Sequence, residues 1–440
     1  MKLMKSLIAA SVAVVGTFAG VNAEDIAVVG GKAHTMGKAG IIDNATILIK
    51  DGKITSVTAG GDVPAGYRVV DAKGKNVTPG LMNPVSILGL NEVPSQSDNM
   101  DATFKKGKNS MALDVTWALN PDSVRIPIAR IEGITRAGTG FYSAYPFSGQ
   151  GAVIHLNGED IVTRASSHMV LNVTDRAASS NGGSRAALWH TIMETMDKAH
   201  KAVKADKKPA DSKGKKKKSK KKSKKAKTAK SAPKKLDANT KALVKVLKGE
   251  MLLVVSVHRK ADILNVIKLK EKYGIKKMAL AGASEAWRVA DRLAKADINV
   301  IITTINNLPG SFERLGATLA NAGRLSKAGV KVMFTGNAAG ENIRLMPQQA
   351  GIAVANGMDW SEAMKAMTVY PAEAFGIAKS YGTLAAGMDA DVVVWDGDPL
   401  EVMTSPDAVI IRGDQIKLES RQTKLRDRYQ TISANPAFRK

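Results

Sequence analysis

The chain has 440 residues, 44% of them hydrophobic, enough to bury one large core and a smaller one, which excludes disorder over its whole length. Its formal charge of +25 points to a polyanion until it is located: residues 201–235 hold 18 Lys against two Asp, Asp206 and Asp211, and once Lys2 and Lys5 are also set aside the rest carries +7. There is no cysteine, so a disulfide scaffold is excluded and a packed core has to supply the stability.

Residues 1–23 have a basic start, the apolar run LIAASVAVVG and the small-residue ending Val21-Asn22-Ala23, the anatomy of a cleavable secretory signal peptide. The alternative, a single membrane anchor, needs about 20 apolar residues and the run is shorter. The expectation is a periplasmic or secreted protein. From residue 24 to 78 short apolar runs alternate with turn chemistry: IAVVGGK, ATILIK, KITSV and YRVVDAKGKNV. Asp51-Gly52 between the second and third is a hairpin signal, because glycine readily takes the positive φ of a tight turn. The same texture returns in ADVVVWDGDP and AVIIRGDQIKL, where Gly413-Asp414 reads as a turn. The two ends, 24–78 and 381–440, are expected to pair in one small composite β-sandwich.

Between them, residues 79–380 change pattern. MLLVVSV, KKMALAG, NVIITT and VKVMFTG are each followed by a stretch of helical period, including 315–327 and 347–356. Continuous apolar strands alternating with amphipathic helices imply a parallel sheet buried on both faces. Over about 300 residues without a dinucleotide glycine fingerprint, the pattern favours an α/β fold of the (β/α)8 TIM-barrel type, with chemistry at the C-terminal strand ends. A lysine-rich insert at about 203–235 interrupts the barrel after a helical segment. It contains no Val, Leu, Ile, Met or aromatic residue beyond Val203 and cannot offset its ordering entropy by burial. Nucleic-acid binding through it is set aside for want of interleaved aromatics. A solvated insert and attraction to an anionic envelope surface or an acidic partner remain open.

Specific phrases then become recognisable. GGKAHTMGKAGIIDNATILIKDGKITSV, VVDAKGKNVTPGL, AMKAMTVYPAEAFGI and YGTLAAGMDADVVVWDGDPLE together make the chain resemble the amidohydrolase superfamily, in its imidazolonepropionase-like branch. The resemblance implies metal-dependent hydrolysis of C–N bonds in cyclic amides or dipeptides. Histidines on barrel strands 1, 5 and 6, often a carboxylated lysine on strand 4, and an aspartate on strand 8 would then hold one or two divalent ions that activate water. At these places the chain has Val85 and Ile87 flanking Ser86, His258 with Ser256 two residues earlier, Ala281, a strand-4 segment near 168–173 without lysine, and Asn337. His258 is the sole matching metal position, so zinc is expected to bind weakly if at all, and Asn337 occupies the place of the family's catalytic aspartate.

Other candidates read as structural. His34 is expected at a surface of the β-sandwich, His155 as polar packing, and His168, His190 and His200 outside any ligand-spaced pair. Ser284, in Gly282-Ala283-Ser284-Glu285-Ala286, loosely resembles a nucleophile elbow but reads more plainly as a helix N-cap. Two functions follow: a degenerate protein that keeps the pocket to bind a small amide or peptide-like molecule or to partner an active homologous subunit, and an active amidohydrolase with a reduced or rebuilt metal site.

Overall fold

The computed structural model describes residues 24–93, 98–104, 110–206, 236–305, 308–336 and 340–430. The segment 1–23 expected to be a signal peptide, most of the lysine-rich insert and Asn337 lie outside the described residues.

One eight-stranded sheet is built from both ends of the chain: Ile26–His34, Ile41–Lys50, Lys53–Ala59, Arg68–Asp71 and Asn76–Pro79 from the first, Val392–Trp395, Pro406–Ile411 and Asp414–Gln415 from the second. Asn76–Pro79 lies antiparallel to Val392–Trp395 and joins the two halves. Lys50 pairs with Lys53 across the Asp51-Gly52 turn, whose residues both have positive φ, 49° and 74°. The second hairpin turns at Arg412-Gly413, and Asp414 already belongs to its last strand. The two turns touch: a Cβ on Gly413 would lie 2.7 Å from the Gly52 Cα, so neither position has space for a side chain. His34, expected at a surface, is instead buried, with Nε2 2.9 Å from Asn76 Oδ1 and its ring tilted against Trp360. Asn76 from the neighbouring strand and the Trp360 ring from a helix meet the imidazole, a neighbourhood that alternation within one strand does not reveal.

The second sheet is the nearly closed barrel: Leu81–Ser86, Ile134–Thr139, Phe147–His155, Val162–Asn172, Leu252–Val257, Met278–Gly282, Asn299–Ile302 and Val332–Phe334, in that order. All neighbouring pairs are parallel except those of the third strand, which runs antiparallel to both neighbours. It is buried along its whole length, so it reads in sequence like a parallel core strand. Pro84 gives the first strand no backbone donor at that position, and the side chain of Asn83 supplies the missing links. Its Nδ2 donates to the Val85 carbonyl, and its Oδ1 accepts from Gly336 beyond the eighth strand. On the other edge of the first strand, Gly138 of the second strand lets the backbones approach, since a Cβ there would sit 2.1 Å from the Pro84 oxygen.

Helices cover the outside. Ala238–Lys248 is capped by Asp237, whose carboxylate accepts from the Thr240 N–H, and ends at left-handed Gly249. Lys260–Tyr273 and Met346–Ala355 follow the fifth and eighth strands. The expected helix over 315–327 is shorter. A single 3-10 turn at Phe312–Arg314 precedes a loop, and the helix is Asn321–Lys327, because the Gly316 carbonyl is taken by the Trp287 indole N–H instead of by a helical amide.

The barrel and the composite sheet are locked by a buried ion cluster. Arg136 on the second barrel strand donates Nε to Asp391 at 2.7 Å and Nη2 to Asp389 at 2.9 Å. Burial opposes its charge, but the two carboxylates outweigh it and hold its pKa above the ordinary guanidinium value. Tyr381 lies beside the cluster and donates to the Gly80 carbonyl at 2.5 Å. The same strand Val392–Trp395 that pairs with the N-terminal half is thereby fixed to the barrel wall.

Candidate functional site

The C-terminal strand ends surround a cavity of about 620 Å³, within the range of small-molecule sites. Its inner wall is largely aliphatic, with Val85, Val170, Val254, Ala281 and Ile301 contributing, and its rim is polar. The apolar wall follows from the fold, since inward-facing residues of a barrel are its core as well as the floor of its mouth.

His258 is the residue immediately after the fifth strand and lies on this wall. Gly282 makes room for it: φ there is 84°, and a Cβ would come within 2.4 Å of the imidazole Cε1. Its Nδ1 is 3.0 Å from Ser284 Oγ, so the serine is drawn to the histidine and does not cap the following turn. Glu285 turns elsewhere, accepting from the Lys260 N–H at the start of the next helix. Burial first, and then the charge of nearby Arg314, lower the His258 pKa to about 4, against a smaller opposing effect from Asp175. The imidazole is therefore neutral at pH 7.

Val85 and Ile87 flank buried Ser86 at the end of the first strand and line the cavity with hydrocarbon. Ala281 does the same from the sixth strand, while Ser256 adds a hydroxyl from the fifth. The fourth strand, Val162–Asn172, contains no lysine but brings His168 into the cavity wall, a position that sequence spacing does not reveal. His168 is fully buried, its Nδ1 2.9 Å from Ser167 Oγ and its ring edge-on to Phe375. Gly140 and Gly151 leave the space it fills. Burial lowers its pKa to about 4. His155 packs away from the cavity, with Nε2 2.8 Å from the Asp160 carbonyl and 3.0 Å from an Arg412 nitrogen. His190 sits on an exposed helix face beside Glu194, and His200 packs edge-on against Tyr273.

The rim carries charge that no sequence motif marks. Glu313 accepts from the Asp175 N–H and from Arg185, which also pairs with Asp175 and Asp262. Those acids are spent on Arg185. Arg314, next in the chain, makes no ion pair among the described residues, and its buried Nε has no hydrogen-bond partner. Asn321 donates Nδ2 to the Ala283 carbonyl, leaving its buried Oδ1 unmatched. The loop sequence holds no signal for either residue, because what marks them is the lack of a neighbour.

A hydrolytic zinc centre requires three protein ligands with electron pairs to give. Among the described residues no three His, Cys, Asp or Glu side chains come together to hold a metal ion. Around His258 the strand-end positions are Val85, Ile87 and Ala281, none of which donates, so the described donor set does not fit such a centre.

Several known proteins share this architecture. A crystal structure of an amidohydrolase from Thermotoga maritima superposes with a TM-score of 0.77 at 21% identity, covering 89% of this chain and 99% of that one. A zinc-bound adenosine deaminase from Xanthomonas campestris gives a TM-score of 0.50 at 13% identity, covering 92% and 99%. In sequence, 57 residues are 42% identical to amidohydrolase tasK of Hapsidospora irregularis, a match over 13% of this chain and only 6% of that relative. The profile of the amidohydrolase family matches residues 169–417, more than half of the chain, and with the barrel and composite sheet already described it follows that this protein belongs to the amidohydrolase family.

Proposed function

We propose that this protein uses the barrel-mouth cavity to bind a small amide or peptide-like molecule and does not carry out the family's metal-dependent hydrolysis. The observation that carries the reading is the hydrocarbon at the strand ends: Val85, Ile87 and Ala281 stand where the resemblance to the imidazolonepropionase-like branch would put histidines. Without three donors, His258 holds a zinc ion no more tightly than a surface imidazole does. The cavity itself is intact and enclosed enough for a ligand of amino-acid size. A second reading, an active amidohydrolase with a rebuilt metal site, draws on His258 and on His168 in the same cavity wall, both kept neutral by burial and so able to coordinate.

The same proposal places the protein outside the cytoplasm through the leader-like 1–23 segment, with the composite sheet over 24–78 and 381–440 flanking a barrel over 79–380. It gives the lysine-rich stretch at 203–235 the task of meeting an anionic envelope surface or an acidic partner, and allows an active homologous subunit to be that partner. Among the described residues no helix is long and apolar enough to cross a membrane.

The test is a panel of cyclic amides and dipeptides, incubated with the protein in the presence and absence of added zinc and manganese. Binding by calorimetry without turnover is the expected result. Metal-dependent turnover of any member, abolished by His258→Ala, contradicts the proposal and supports the second reading.

A further inference from the structure

We infer that the rim of the barrel mouth docks on an anionic lipid surface through the loop that follows the seventh strand. Such docking does not depend on whether the cavity binds or hydrolyses its ligand.

Between residues 305 and 315 this loop exposes Ile305, Leu308, Phe312 and Leu315, with Leu308 76% and Phe312 89% accessible. Local chemistry turns them outward. In a 3-10 helix residues i and i+3 eclipse one another, so Phe312 and Leu315 share one side of the turn at Phe312–Arg314. Glu313 lies on the other side, buried and held by the Asp175 N–H and by Arg185. Rolling the turn to cover Phe312 would pull Glu313 from both partners, so a polar anchor keeps the hydrocarbon in water. Large apolar side chains gathered in one exposed segment mark attachment to a protein or a membrane.

The charge around the loop selects between those occupants. The rim carboxylates are committed: Asp175, Asp262 and Glu313 to Arg185, and Glu285 to the Lys260 N–H and Arg288. Three guanidiniums have no carboxylate partner among the described residues. Arg314 is in the loop, exposed Arg176 lies over the Tyr142 ring, and exposed Arg324 lies over the Trp287 ring, whose indole N–H donates to Gly316 in the loop. Apolar tips beside ring-backed cations fit a bilayer with anionic headgroups: the tips reach the acyl boundary while the guanidiniums meet phosphate. A second copy of this chain would set the same arginines against each other across a symmetric contact, and like charges disfavour it. Arg176, Arg314 and Tyr142 also line the cavity, so docking turns its opening toward the lipid.

The chain has no cysteine, so a single introduced one carries an environment-sensitive fluorophore at a known place. Ser311→Cys puts it beside Phe312 without removing an apolar side chain, and Met403→Cys, 90% exposed between two strands of the composite sheet, is the control. Both full-length variants are mixed with vesicles of phosphatidylcholine alone and of phosphatidylcholine with phosphatidylglycerol; unaltered unfolding midpoints show that they fold. On the anionic vesicles the emission at 311 is expected to shift to the blue, with little change on neutral vesicles and none at 403. Replacing Leu308 and Phe312 together by Ser is expected to abolish the shift and to weaken vesicle binding roughly tenfold or more, from the apolar area withdrawn. Vesicle binding without a shift at 311 gives the attachment to another segment and overturns the proposal. A shift of equal size on neutral vesicles, or at 311 and 403 alike, also overturns it. So does a blue shift at 311 that needs no vesicle and grows with protein concentration, which gives the loop to a second copy. None of these outcomes bears on cavity binding, which the amide panel reads separately.

Discussion

The barrel meets the composite sheet at one place and opens to solvent at another, and buried charge is treated differently in the two. At the junction Arg136 is matched donor for acceptor by Asp391, Asp389 and Thr163. At the mouth Arg314 and Asn321 keep unmatched atoms, and His168 and His258 stay neutral in a wall of hydrocarbon. Satisfied buried charges hold two parts of a fold in one arrangement, a constraint that the mouth lacks.

Breaking the junction should have the largest effect. Arg136→Met strands the buried carboxylate of Asp391 and is expected to cost ~3–5 kcal/mol in urea unfolding. A loss under 1 kcal/mol there means that the cluster is not what joins the two sheets. The contact between the first and second barrel strands comes next. Gly138→Ala drives a methyl group into the Pro84 oxygen and should cost ~1–3 kcal/mol; a neutral result would mean that the first strand yields easily.

The neutral imidazoles at the mouth give a smaller, pH-dependent effect. His168 takes up a proton near the ordinary 6.5 when unfolded but only near about 4 when folded. The unfolded state therefore binds more protons between those values. The contribution of His168 is whole above pH 6.5 and is lost as pH falls toward 4, a change of ~2–3 kcal/mol. Unfolding midpoints from pH 7 to 4 should fall less steeply for His168→Gln than for the unaltered protein. Parallel curves would show that His168 is reached by solvent. The smallest effect is expected at Arg314: with no partner to lose, Arg314→Gln should change stability by under ~1 kcal/mol in either direction. A loss comparable to that of Arg136→Met would reveal a structural partner and erase the contrast between the two regions.

Local chemistry made much of the fold legible. Asp51-Gly52 announced its hairpin, the runs from Leu252 to Phe334 announced parallel strands, and the late YGTLAAGMDADVVVW phrase carried the family resemblance. The antiparallel third barrel strand was not legible, because a strand buried on both faces has the same apolar texture in either direction. The helix expected over 315–327 failed for a related reason, as its first turn was unmade by an indole 29 residues away. At the site, His258 and the hydrocarbon at Val85 and Ile87 could be read by likeness to a motif. Arg314, Asn321 and the tie between His258 and Ser284 could not, since each is defined by what does or does not stand opposite it in space.

The proposed binding role requires that the strand-end positions do not assemble a hydrolytic metal centre. The metal content of the full chain, purified without chelator, dialysed against zinc and then against metal-free buffer, tests it most directly. Well under one zinc per chain is expected, with no difference between the unaltered protein and His258→Ala. One zinc or more per chain, retained through dialysis and lost in His258→Ala, would contradict it.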